Sequence, residues 1–149
     1  MTRAAAHRSF VILALLACCV FGLSATNIAS AKAASCFAGS CTGKSPSATG
    51  CETNARTLTE ITIYTLRVEL RYSDSCNAAW VRVRATNGSN MCNTGAWVQN
   101  SLGNVQNAPD SCSAGPVFSN MVTDTTGQYA EACGIWYDTA NASACTRAI

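Results

Sequence analysis

Histidine is almost missing from these 149 residues: His7 is the only one. It sits in a stretch with the marks of a removable export signal. Residues 1–9 carry Arg3, His7 and Arg8 and no acid, residues 10–20 are unbroken apolar, and small residues follow, with Ala-x-Ala spacing at Ala29/Ala31 and Ala31/Ala33. A basic end, a short apolar core and a small-residue exit are the parts of a signal peptide. The run falls short of the roughly 20 apolar residues that a membrane span needs. We therefore expect residues 1–34 to be a signal peptide and 35–149 to form one secreted domain, with Ala31 and Ala33 as other cleavage points. Leu15-Leu16-Ala17-Cys18 offers a different reading, a lipid anchor on Cys18.

Removal of 1–34 takes away the imidazole, and with it any Ser-His-Asp triad, Cys-His dyad or His-ligated zinc. Lysine is nearly lost too. Only Lys44 remains, in a Gly/Ser/Pro loop, so a Ser-Lys mechanism would rest on it alone. Charge is sparse, at 12% of the chain, and the remainder holds seven basic residues against eight acidic ones. Overall charge thus offers nothing to intracellular nucleic acid; only a local patch could attract a polyanion. Neither a phosphate-binding glycine loop nor a Cys-x-x-Cys pair occurs, and no cofactor or metal is expected.

Cysteine is abundant instead. Cys18 and Cys19 lie in the apolar stretch; Cys36, Cys41, Cys51, Cys76, Cys92, Cys112, Cys133 and Cys145 follow it. Eight in an exported chain read as a disulfide framework. They allow 105 pairings, and their spacing does not choose among them.

Alternation dominates the middle of the chain. Leu66, Val68, Leu70 and Tyr72 alternate with Thr65, Arg67, Glu69 and Arg71, and Val81, Val83 and Ala85 alternate with Trp80, Arg82 and Arg84. A period of two places each set on opposite faces of a strand. Leu66, Val68, Leu70, Val81 and Val83 are the expected core. Asn87-Gly88 marks a turn. Strands are also expected at 96–99, 117–123 and 129–137, a strand or helical turn at 55–59, a loop-rich lead-in at 35–50 and a long loop at 100–115. No helical period is sustained. The expected fold is mainly β, a small disulfide-stapled antiparallel barrel or sandwich.

Pairing of the two alternating strands would gather Arg67, Arg71, Arg82 and Arg84 around Glu69 and beside Trp80. Arginine forks suit phosphate or carboxylate, and an indole face can stack on a ring. These five residues, Arg67, Arg71, Trp80, Arg82 and Arg84, are the candidate ligand site, for an anionic envelope polymer or lipid headgroup. Two other functions are open. Glu69, Asp74, Glu131 and Asp138 could supply the acid pair of a hydrolase, and the loop at 100–116 could serve a toxin or inhibitor.

Three stretches carry a family resemblance. One is Cys41-Thr42-Gly43-Lys44-Ser45-Pro46-Ser47-Ala48-Thr49-Gly50-Cys51 with Ala55 and Thr57. The second is Val68-Glu69-Leu70-Arg71-Tyr72-Ser73 with Cys76-Asn77-Ala78-Ala79-Trp80. The third is residues 118–122 with Ala132-Cys133-Gly134. Together they resemble the YjfA-like family of small secreted domains of Gram-positive bacteria, whose function is unknown. The resemblance implies an extracytoplasmic binding or sensing module and supplies no catalytic residues. Many relatives carry an acid or amide before the proline, where this chain has Ser45.

Overall fold

The computed structural model describes residues 32–124, 128–137 and 141–149. Most of the expected export stretch, including Cys18, lies outside the described residues, as does Asp138. Among the described residues no helix is long and apolar enough to cross a membrane.

The first sheet is built from β1 (Arg56–Ile63), β2 (Leu66–Ser73) and β3 (Ala78–Ala85), joined as antiparallel neighbours. Its far edge is a strand broken in two. After β4 (Thr94–Asn100) and β5 (Val105–Asn107), the chain returns as β6 (Val117–Phe118) and β7 (Val122–Thr123). β6 pairs with Arg82 and Val83, and β7 with Ala78 and Ala79. Ser119 spans the break: its amide donates to Val81 O at 3.1 Å and its hydroxyl accepts from Val81 N at 3.1 Å. The second sheet runs β5–β4–β8–β9, with β8 at Ala130–Trp136 and β9 at Ala142–Cys145.

The alternating strands bury the face expected of them. Leu66, Val68, Leu70 and Val81 are wholly buried, Val83 nearly so, and they share one core with Ala96, Val98, Ala130 and Ala132 of the second sheet. Large side chains on one sheet meet small ones on the other. Gly134 permits the closest approach, since a Cβ there would lie 2.5 Å from Val68 Cγ2. Each buried Leu or Val contributes about 1.5–3 kcal/mol by leaving water. Asn100 ties the layers together. Its Nδ2 donates to Thr123 O of β7 at 2.9 Å, and its Oδ1 accepts from Leu102 N and Asn104 N, so this buried amide is satisfied.

Three departures from the sequence reading concern short pieces. The expected loop at 100–115 contains β5, β9 was not expected, and the lead-in contains a 3-10 turn (Ala38–Cys41) and a helical turn α1 (Pro46–Thr49). Ser45 is the N-cap of α1, accepting from Ala48 N at 3.4 Å. Gly50 ends that turn at φ 77, where a Cβ would lie 2.8 Å from the carbonyl oxygens of Lys32 and Ala33. Four disulfides join Cys36–Cys41, Cys51–Cys76, Cys92–Cys112 and Cys133–Cys145. The sulfurs of the first two lie within 4.8 Å of one another. As disulfides they offer a metal no thiolate.

Candidate functional site

The outward face of the first sheet divides into two unlike halves. Register sets Arg67 opposite Arg84, Glu69 opposite Arg82, and Arg71 opposite Trp80. Across the other side of β2, Glu60 lies opposite Glu69 and Thr57 opposite Arg71. Like charges face each other in two of these pairs, which by itself is destabilising. The side chains resolve it diagonally.

Glu69 is the hub. It is 2% exposed although it stands on the outward face. Its Oε2 accepts from Arg82 Nε, and its Oε1 meets Arg84 Nη2 at 3.4 Å and Arg67 Nε at 3.5 Å. Arg67 also donates to Glu60 Oε2, from Nε at 2.9 Å and from Nη2. Burial pushes the Glu69 carboxyl up. The hydrogen bond from Arg82 and the charges of Arg82, Arg84 and Arg67 outweigh it and hold the group below its ordinary value. A guanidinium has five N–H donors. The contacts to Glu69 use Nε of Arg82 and one terminal nitrogen of Arg84. Three half-exposed arginines are therefore fixed in place by one sunken carboxylate, with donors to spare.

Arg71 is held differently. Nη1 donates to Thr57 Oγ1 at 2.7 Å and Nη2 to Ala55 O at 2.6 Å. Burial and then the charge of Arg82 lower its pKa. It braces the segment that leads into β1.

Trp80 requires a correction. It was expected beside the arginines as a stacking surface, but it is 0% exposed. It belongs to a second, smaller core with Cys41, Cys51, Cys76, Ala78 and Met121, against which Phe118 packs. The lead-in lies over this half of the sheet, stapled to the turn after β2 by Cys51–Cys76 and aligned with Met121 through Gly43 N→Met121 O and Met121 N→Lys44 O, both 2.9 Å. Among the described residues Trp80 Nε1 has no hydrogen-bond partner, and the indole serves as apolar filling.

Among the described residues, the candidate acids Glu69, Asp74 and Glu131 lie apart. Glu69 is enclosed by arginines, and Asp74 is paired with Arg56 at 3.2 Å in an exposed turn. Glu131 lies on β8 of the other sheet, accepting from Gln99 Nε2 at 2.5 Å. Glu60 escaped the sequence reading because β1 carries a register shift between Thr57 and Thr59, which breaks the alternation that would have placed it beside Glu69.

Residues 39–133, the greater part of the chain, match a protein family described as "Protein of unknown function (DUF2690)". The chain is a member of the DUF2690 family. No curated protein and no solved structure matches it. The DUF2690 match contains the whole arginine cluster and the Cys51–Cys76 and Cys92–Cys112 bridges. Cys36 and Cys145 fall outside it, so the other two bridges tie flanking residues to the matched region.

Proposed function

We propose that this DUF2690 protein is exported, loses residues 1–34, and acts at or outside the cell envelope as a module that binds phosphate-bearing polymer or lipid. The resemblance to YjfA-like domains favours an origin in a Gram-positive bacterium. Four disulfides fit an oxidising compartment. The observation that carries the reading is the convergence of Arg67, Arg82 and Arg84 on sunken Glu69 at an open sheet face. A buried acid that pre-positions guanidiniums lowers the ordering cost of binding an anion. With Glu60 and Glu69 counted against the three arginines the cluster keeps one excess positive charge, so attraction is local and open to screening.

Phosphodiesters of teichoic acid and of anionic lipid share this chemistry. Titration of the secreted protein with teichoic acid, and separately with phosphatidylglycerol vesicles, distinguishes the two sources. At least one should bind, more weakly at high salt and in an Arg82→Ala/Arg84→Ala variant. Binding to neither, or binding indifferent to both changes, would refute the reading. Mass spectrometry of the exported protein should find an N-terminus between Lys32 and Ser35.

A further inference from the structure

The second sheet has an outward face of opposite character. β4 turns Gly95, Trp97 and Gln99 outward, since Ala96, Val98 and Asn100 point into the core. Gly95 has no side chain, and Tyr137 fills the space. A Cβ at Gly95 would lie 3.1 Å from Tyr137 Oη and 3.2 Å from its Cε2. The ring thus lies across the β4 backbone, two residues from Trp97, or about 6.8 Å along the strand. Tyr137 N donates to Asn93 O at 2.8 Å, which fixes its start, yet the residue is 55% exposed. Beyond Trp97 the face is polar: Trp97 Nε1 donates to Gln99 Oε1 at 3.2 Å, and Gln99 bonds Glu131.

A cleft runs beside this track. Two adjoining depressions of ≈ 480 and ≈ 310 Å³ share Asp110 and Tyr137 as lining residues. Asn93, Thr94, Trp97, Asn107 and Ser111 add further polar and aromatic groups to the lining. The wall is secured covalently by Cys92–Cys112, and by Ala108 N→Ala96 O at 2.8 Å and Met91 N→Ser113 O at 3.0 Å. The described lining residues include a carboxylate, two side-chain amides and two aromatic rings, and no cation.

We infer that this cleft binds an uncharged glycan. A sugar ring presents an apolar C–H face and an equatorial fringe of hydroxyls. It is matched by aromatic faces flanked by carboxylate and amide partners, which stack on the ring and bond its hydroxyls. Asp110 repels an anionic polymer, which separates this site from the arginine cluster on the other sheet. The exposed ring of Tyr137, which the interior does not require, forms the platform. Trp97 and Asn107, opposite each other in the β4–β5 register, grip the next unit.

The test is titration of the secreted protein with soluble tetrasaccharides of N-acetylglucosamine, glucose and xylose, followed by tryptophan fluorescence and calorimetry. At least one should bind, indifferent to salt and to Arg84→Ala. Tyr137→Ala should weaken that binding about tenfold or more, while Tyr137→Phe retains it. Tyr137→Phe should keep the wild-type melting temperature, and Tyr137→Ala should stay folded with a small loss, because the ring is half-exposed and packs over Gly95. Failure of all three sugars at millimolar concentration would overturn the inference. So would binding that survives Tyr137→Ala, or binding lost with Arg84→Ala.

Discussion

Trp80 and Arg82 stand two residues apart on the same face of the same strand, yet one is wholly buried and the other half-exposed. The strand does not cause the difference. The lead-in, with its 3-10 turn, α1 and two of the four disulfides, lies over the Trp80 half and stops short of the arginines. Where chain covers the sheet, the face becomes a second core. Where none does, it carries charge, and Glu69 sinks beneath three guanidiniums. A strand's pattern fixes which residues share a face; what is folded over that face decides whether they pack or recognise.

The covered half should show the largest effects on stability. Trp80→Ala removes the biggest fully buried side chain and should cost about 3–5 kcal/mol in denaturant unfolding. Unlocking the cover with Cys51→Ser/Cys76→Ser should cost about 2–5 kcal/mol, since the bridge closes a separation of 25 residues. That variant should also red-shift tryptophan emission as water reaches Trp80. An unchanged spectrum would mean that the lead-in stays in place without its staple.

At the boundary, Glu69→Gln leaves Arg67, Arg82 and Arg84 without their shared partner. The arginines are partly solvated, so the loss should be about 1–3 kcal/mol, below that of a fully buried pair. The same group sets an acid dependence. Its folded pKa is lowered, so its stabilisation is present above the ordinary glutamate value of about 4.3 and is lost as pH falls through the lower folded value. Wild type should therefore lose stability in that acid window more steeply than Glu69→Gln, as read from chemical denaturation at each pH.

Much of this was legible in the residues. The period of two in β2 and β3 placed five apolar side chains in the core and the arginines opposite them. The lead-in's role was not, because it depends on which cysteines pair and spacing cannot select among the possibilities. Trp80 was misplaced for that reason: alternation put it with Arg82 correctly, and only the cover distinguishes them. β5 and β9 are three and four residues long, too short for a period to declare itself. The Tyr137 cleft joins residues from β4, the segment after β5 and the end of β8, and only the tertiary fold brings these together.

The smallest effect on stability should accompany the most telling effect on binding. Arg84 is the most exposed of the three clustered arginines, its side chain 45% accessible, and it meets Glu69 only at 3.4 Å. Melting temperature and affinity for the phosphate-bearing polymer or vesicle should therefore be measured together for wild type and Arg84→Ala. The account predicts a stability change within about 0.5 kcal/mol, alongside affinity weakened several-fold at low salt and a shallower salt dependence. A variant that melts earlier while binding as tightly as wild type would contradict it, and would make the arginine cluster a structural device.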